Sequence, residues 1–379
     1  MQIQRLAFDA VTGWSAAFAP LDSEQTMVLT FGAACFGADP RPLQELQRAF
    51  PRAHHLGCST AGEIHGATVR DDSLSVAVVR FERTGLATAV AHVAHADESY
   101  AAGRSIAEQL AQRADLAGVF VLSDGLRVNG TQLVRGINDV LPPGVVVTGG
   151  LAGDGARFQN TWTLQHGLPT AGIVTAIGLH GPHVRIGHGS KGGWDIFGPE
   201  RTVTRSSGNV LYELDGKPAL DLYKEYLGDR ASGLPATGLL FPLALRASAS
   251  EQKRLVRTIL AVDEQHKSMT FAGDIPQGAL AQLMRANFDR LVEGASDAAS
   301  VTYSGNPATG GTLAIAISCV GRRLLLGERT EEEVEATLAA LLPGTEQLGF
   351  YSYGELSPYA SGACDLHNQT MTMTTLTEV

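Results

Sequence analysis

Short apolar runs alternate with amphipathic stretches along all 379 residues, and this alternation limits the possible folds more than any other feature. Residues 26–33 (TMVLTFGA), 118–125 (GVFVLSDG) and 312–322 (TLAIAISCVGR) contain apolar runs of strand length. Residues 99–113 instead carry apolar side chains at helical spacing, with a hydrophilic outer face. Strands that alternate with helices in this way predict a mixed α/β protein.

The second half contains one segment with a pronounced helical pattern. In residues 277–293, the apolar side chains of Leu280, Met284, Phe288 and Leu291 recur at the spacing of one helix face. This spacing predicts a single long helix over the segment.

The two halves of the chain show a similar order of elements: two strands, a helix, a strand, a helix and two strands. Their loops also correspond, for example GGLAGD (149–154) with YGEL (353–356). We therefore predict two related lobes, each a mixed sheet with flanking helices, that arose by internal duplication. A coincidental likeness between ordinary α/β segments is the alternative. The predicted modules are 1–180 and 217–379, with a polar, glycine-rich junction at 181–216.

Charge and composition exclude several classes of protein. The 39 acidic residues outnumber the 29 basic ones, so the formal net charge is -10, which argues against nucleic acid or an anionic membrane as partner. No apolar run approaches the ~18 residues of a spanning helix, and the first residues, MQIQRLAFDA, lack the apolar region of a secretory signal. The four cysteines show no C-x-x-C spacing, which argues against structural zinc. We predict a cytoplasmic protein with reduced thiols.

Two motifs invite a catalytic or nucleotide-binding interpretation. Gly187, Gly189 and Gly192 form G-x-G-x-x-G, but the following residues WDIFGP would not begin the helix that a dinucleotide site needs, so we reject it. In GCSTAGE, Cys58 or Ser59 could act as a nucleophile only with a positioned base. A loop whose small residues allow a ligand or the other lobe to approach is the preferred interpretation.

Several histidines are candidate metal or haem ligands, although their spacing matches no standard metal motif. His54, His55 and His65 lie close to Cys58 in the sequence. His180, His183 and His188 lie at the junction, and His367 stands alone in LHNQT. A lone histidine is more often a hydrogen-bonded structural residue. The polar and aromatic side chains of Tyr351, Tyr353, Glu355, Asn368 and Thr370 suit a small-molecule pocket.

Seven motifs in order make the chain resemble the FIST family over nearly its whole length. The first half is similar to the N-terminal FIST module and the second half to the C-terminal one. The motifs are GCSTAGE (57–63), VLSDG (121–125), GGLAGD (149–154), NVLYELDGKPA (209–219), SCVGR (318–322), YGEL (353–356) and LHNQT (366–370).

The resemblance implies a sensory protein of bacterial signal transduction that binds a small molecule such as an amino acid. Similar stand-alone members include nitric-oxide-sensing haem proteins, which regulate a separate histidine kinase or cyclic-di-GMP enzyme. The predicted ligand-binding residues are Cys58, Ser59, Thr60, Gly62, Glu63, Asp154, Tyr353, Glu355, His367, Asn368 and Thr370.

We therefore predict that two lobes enclose a ligand and that a partner protein reads the resulting conformation. If the ligand is haem b, His367 is the first choice as iron ligand and His188 the second. An enzyme with Cys58 or Ser59 as nucleophile, and a scaffold that binds only protein, are the alternatives. The oligomeric state is left open.

Overall fold

The computed structural model describes residues 1–302, 311–359 and 362–379, which form 27 strands and seven α-helices. The strands of the first half are β1 (Gln2–Asp9), β2 (Gly13–Trp14), β3 (Thr26–Ala33), β4 (His54–Thr60), β5 (Glu63–His65), β6 (Thr68–Arg70), β7 (Ser73–Arg80), β8 (Gly85–His92), β9 (Leu116–Ser123), β10 (Val146–Leu151), β11 (Thr163–Gln165), β12 (Leu168–Thr170) and β13 (Ile173–His180).

The remaining strands are β14 (Val184–Lys191), β15 (Asp195–Ser207), β16 (Val210–Leu214), β17 (Lys217–Pro218), β18 (Leu243–Arg246), β19 (Leu255–Arg257), β20 (Ile259–Asp263), β21 (Ser268–Phe271), β22 (Leu280–Arg285), β23 (Thr312–Cys319), β24 (Glu346–Ser352), β25 (Gly354–Pro358), β26 (Cys364–His367) and β27 (Met371–Glu378). The helices are α1 (Arg41–Ala49), α2 (Ser99–Ala111), α3 (Gly130–Asn138), α4 (Ala219–Leu227), α5 (Phe288–Ser300), α6 (Val320–Leu326) and α7 (Thr330–Ala340). None of these helices is long and apolar enough to cross a bilayer.

Three of the four sheets contain the same four-stranded unit. The strand orders are β4-β3-β7-β1, β10-β9-β13-β8 and β24-β23-β27-β14, and in each unit the first two strands are parallel. The predicted mixed α/β fold is confirmed. The four-stranded unit occurs in three copies, and residues 1–180 hold two of them.

The three units are joined in a ring by short hairpins. In each unit a hairpin follows the strand written first above, which is β4, β10 or β24. The hairpin pairs with the equivalent strand of another unit: β5–β6 with β24, β11–β12 with β4, and β25–β26 with β10. Main-chain hydrogen bonds connect the three units in the same cyclic way. They run from Gly153 N to Ser59 O (2.9 Å), from Ala61 N to Tyr351 O (2.8 Å) and from Tyr353 N to Leu151 O (3.2 Å). No unit therefore completes its own sheet.

A central hydrophobic core lies where the three sheets face one another. It joins side chains from all three units, among them Phe31, Phe120, Ile315 and Phe350. The helices cover the outer faces, with α2 against α3 and α5 against α7. Two glycines of the rejected nucleotide motif allow β14 to pack closely against α5. A Cβ atom at Gly187 or Gly189 would overlap main-chain atoms at the end of that helix.

A fourth sheet is inserted in the third unit, between β14 and α5. Its strand order is β19-β18-β22-β15-β16-β21-β20, and α4 packs on it. The predicted helix over 277–293 is wrong, because Leu280–Arg285 is a strand between β15 and β18. Its burial alternates, and the helix starts only after Asn287, whose side chain accepts a hydrogen bond from Arg290 N. The segment 181–216, predicted as a junction, consists mostly of β14, β15 and β16.

Candidate functional site

A cavity of about 560 Å³ lies between the inserted sheet and the loops that follow the core strands. The volume is within the usual range for small-molecule sites. The core contributes Ala96, Gly125, Leu126, Val128, Asn129, Leu151, Phe158, Cys319, Val320, Gly321, Leu324 and Tyr353, and the insertion contributes Asn209, Gly233, Leu234, Pro235, Ala236, Leu239, Thr258, Ile259, Leu260, Phe271, Ala272 and Gly273.

Large apolar side chains are exposed around this cavity. Leu126 is 40% exposed, Phe158 48%, Leu260 47% and Leu324 49%, and all four line it. Apolar side chains gathered at one concave place mark a binding site more often than scattered ones do. The cavity is therefore the best candidate for the site of ligand binding.

Tyr353 forms a rigid wall of the cavity. Its ring stacks on Phe158 with centroids 4.4 Å apart and an interplanar angle of 15°, and its hydroxyl donates to Gly155 O (2.9 Å) and to an Asp154 carboxylate oxygen. Burial alone would raise the pKa of Asp154, but hydrogen bonds from Tyr353 and from the main-chain N–H groups of the 158–160 loop outweigh it, so the pKa is lowered. The carboxylate thus fixes both the ring and the loop that carries Phe158.

The inserted sheet is fastened to the core beside the cavity through Asp274. Its carboxylate accepts hydrogen bonds from Asn129 Nδ2 (2.9 Å) and Gln132 Nε2 (2.6 Å), both near the start of α3. Its own main-chain N–H donates to Thr131 Oγ1 (3.3 Å). Since Asn129 also lines the cavity, a ligand there would contact a residue that holds the inserted sheet to the core.

Two predicted site residues form equivalent buried carboxyl clusters in the first and third units. Glu63 accepts hydrogen bonds from Thr60 and from Ser73. Glu355 accepts them from Ser352 Oγ (2.7 Å) and Thr370 Oγ1 (2.9 Å). Burial raises the pKa of Glu63 to about 7 and that of Glu355 to about 8. Neither cluster is part of the cavity lining.

The GCSTAGE residues lie inside the core or against it. Cys58 has no exposed surface, packs in the central core, and burial raises the pKa of its thiol far above the ordinary value. Ser59 is also fully buried, and its hydroxyl accepts a hydrogen bond from Trp162 N (3.0 Å). Gly62 lies against Arg323, whose guanidinium occupies the space of a Cβ atom. These surroundings give no substrate access to a Cys58 or Ser59 nucleophile.

The surroundings of His367 do not fit a haem ligand. The side chain is 2% exposed, and Nε2 lies 2.9 Å from the carbonyl oxygen of Ser357 on the neighbouring strand. Burial lowers the pKa of this histidine to about 4, so it is neutral. Asn368 beside it is fully buried and donates to His367 O (3.0 Å). Both residues are outside the cavity lining.

The other histidine candidates do not converge on a metal site either. His188 lies on β14 opposite Thr374, outside the cavity lining, and burial lowers its pKa. Among residues 1–302, 311–359 and 362–379 there is no group of three or more His, Cys, Asp or Glu side chains that could hold a metal ion. Haem binding elsewhere in the molecule stays a prediction from the family resemblance.

Of the predicted ligand-binding residues, only Tyr353 lines the cavity, and Asp154 supports it from behind. The whole contribution of the inserted sheet was missed by sequence reasoning. One signal was present in residues 233–240 (GLPATGLL), an apolar stretch interrupted by glycine and proline. Such a stretch is typical of a loop that keeps apolar side chains near the surface.

Comparisons with known proteins bear on family and fold. A search among curated proteins finds no match. Among solved structures, the crystal structure of cyanuric acid hydrolase from A. caulinodans aligns over 100% of this chain and 98% of that one, with 12% identity and a TM-score of 0.37.

The family models give a direct result. The FIST N domain matches residues 26–217, and the FIST C domain matches residues 219–358. FIST domains are small-molecule-sensing modules associated with signal transduction. Because the two matches together cover most of the sequence, the chain belongs to the FIST family.

Proposed function

We propose that this protein is a signalling sensor that holds its ligand in the cavity between the inserted sheet and the core. The observation that carries the proposal is the gathering of Leu126, Phe158, Leu260 and Leu324, all 40% or more exposed, around one concave site. Membership of a family of sensory modules supports the same role.

The position of the cavity suggests how binding becomes a signal. Its walls belong to two parts of the molecule, the core loops and the inserted sheet, which are linked beside it by the Asp274 hydrogen bonds. A ligand that contacts both walls favours the arrangement in which they are close together. The size of the response is limited by the difference in ligand affinity between the two arrangements.

The output is proposed to pass to a separate protein in the cytoplasm, such as a histidine kinase or a cyclic-di-GMP enzyme. The support for these partners is the family resemblance. Nitric oxide sensing through His367 is not part of the proposal, because the Nε2 atom of that residue is engaged by the Ser357 carbonyl. Catalysis by Cys58 is likewise left out, because its thiol is fully buried.

A cavity-filling variant tests the proposal. Ala236 is exposed and lines the cavity, so Ala236→Trp places an indole ring in the site at little cost to folding. A metabolite screen by thermal shift is expected to find a compound that raises the melting temperature of the wild type by a few degrees at saturating concentration. We expect this increase to disappear in Ala236→Trp.

The matched control is Ser232→Trp, an exposed position immediately before the lining residue Gly233 and itself outside the cavity lining. It should retain the full ligand-induced increase. Equal responses of the two variants would place the binding site elsewhere, and a screen in which no small molecule stabilises the wild type would favour the protein-binding scaffold.

A further inference from the structure

The chemistry of the cavity also indicates what kind of molecule it binds. We infer that the ligand is an uncharged, largely apolar molecule with a flat ring system and one hydrogen-bonding group that meets Thr258. This inference rests on the proposed function. It differs from the amino-acid ligand that the family resemblance implies.

The lining offers nothing that compensates a charge. Among the described residues that line the cavity, none is Asp, Glu, Lys, Arg or His. An ionised group that loses water without a counter-charge or several hydrogen bonds is strongly disfavoured. The ammonium and carboxylate of a free amino acid would both meet this penalty.

The charged groups behind the lining are already engaged. Arg257, next to Thr258, is 3% exposed and directs Nε and Nη1 to main-chain carbonyls, including that of Leu366 (3.0 Å). The Asp274 carboxylate is held by Asn129 and Gln132. Turning Arg257 Nη1 or the Asp274 carboxylate toward a ligand would break bonds that fasten the inserted sheet to the core.

Among the described lining residues, one buried side-chain polar atom has no hydrogen-bond partner. Thr258 is 5% exposed, and within the described part of the chain its Oγ1 atom makes no hydrogen bond. A buried hydroxyl without a partner is unfavourable in the free protein, so a ligand that satisfies it gains affinity. The amide groups of the two lining asparagines are committed in part, since Asn209 Nδ2 donates to Phe271 O (2.7 Å) and Asn129 Nδ2 donates to Asp274.

The aromatic wall favours a flat ligand. Phe158 and Tyr353 lie nearly parallel, and Phe271 is a further aromatic residue of the lining. Stacked or edge-on aromatic contacts add to the free energy of simple apolar burial. A fused or linked ring system would use these surfaces better than a flexible aliphatic chain would.

Two probes that differ by one charged group test the ligand class. N-phenyl-1-naphthylamine is uncharged, and 8-anilino-1-naphthalenesulfonate has the same ring skeleton with a sulfonate. Fluorescence titration of the full chain is expected to give a dissociation constant at least about tenfold lower for the uncharged probe, because the sulfonate meets no counter-charge in the lining. Indole and L-tryptophan form a second pair, of which only indole should raise the melting temperature.

Substitutions of Thr258 test the hydrogen bond. Thr258→Val removes the hydroxyl at nearly constant shape and is expected to weaken binding of the uncharged probe about three- to tenfold. Thr258→Ser keeps the hydroxyl and should bind like the wild type. Equal affinities of the Val and Ser variants would overturn the role assigned to Thr258.

The outcomes separate the ligand class from the site itself. If the sulfonate probe binds as tightly as the uncharged one and Ala236→Trp weakens both, the cavity is the site but the uncharged class is wrong. If neither probe binds, the uncharged, flat ligand class is wrong. If both bind and Ala236→Trp affects neither, the cavity is not their binding site and the proposed function fails with it.

Discussion

Replacing Glu333 by alanine is expected to lower the free energy of unfolding by about 3–5 kcal/mol, because it leaves a buried guanidinium without its counter-charge. Glu333 and Arg322 have no exposed side-chain surface, and the carboxylate accepts hydrogen bonds from Arg322 Nη2 (2.7 Å) and Nε (3.0 Å). It also accepts from Ser318 Oγ (2.9 Å) and Tyr351 OH (2.8 Å), so three partners lose their acceptor together. Urea unfolding followed by circular dichroism measures the change.

The neighbouring residue provides the control. Glu332 is on the same helix and pairs with Arg329 at the surface, where both side chains are well exposed, so Glu332→Ala should change stability little. The paired substitution of Arg322→Met with Glu333→Leu should recover much of the loss, since it removes both charges. A Glu333→Ala variant no less stable than Glu332→Ala would contradict the expectation.

Strands of the core could be predicted from the sequence because their burial is almost complete. The runs TMVLTFGA and TLAIAISC became strands whose residues are nearly all buried, and such runs need no tertiary information to be identified. The segment 277–293 shows the opposite case. Its apolar spacing suits a helix, but antiparallel pairing of Leu280–Arg285 with two strands of the insertion outweighs that local pattern.

The sequence contains a signal for three repeats, although its pattern of elements suggested two. In each unit, a glycine of the second parallel strand faces the carbonyl of the strand beside it: Gly57 against Thr30, Gly149 against Val121 and Gly349 against Ala316. A Cβ atom at any of the three would overlap that carbonyl oxygen. One glycine before each acidic loop, three times in the chain, was therefore a sequence signal for three units.

Most of the candidate site could not be predicted, because its walls come from segments far apart in the chain. Motif reasoning found Tyr353 and Asp154, which lie in well-patterned loops, but not Thr258 or Leu260 on the inserted sheet. It also selected His367, whose motif-like surroundings serve the strand pairing of β25 with β26. Only the tertiary structure distinguishes polar residues that face a ligand from those that fasten strands together.

The stability of the protein is expected to fall between pH 5 and pH 9, and replacing Glu355 by glutamine should remove a large part of this fall. Glu355 is fully buried, and burial raises its pKa from 4.5 to about 8. Because the folded state binds this proton more tightly than the unfolded chain does, the contribution of Glu355 to stability is fully present below pH 4.5 and is lost as the pH rises through 8. The wild type should lose on the order of 3–5 kcal/mol relative to Glu355→Gln over this range. Urea unfolding at each pH measures the difference.

Two further carboxyl groups make the comparison specific. Glu63 occupies the equivalent cluster, and its pKa of about 7 predicts that Glu63→Gln has the same sign and a smaller amplitude. Glu378 behaves oppositely, since hydrogen bonds from the main chain at Glu82 to Thr84 outweigh burial and lower its pKa to about 2. Its contribution is lost only as the pH falls through 2, so Glu378→Gln should leave the slope between pH 5 and pH 9 unchanged. A Glu355→Gln variant with the wild-type slope would show that the buried carboxyl cluster does not control this pH dependence.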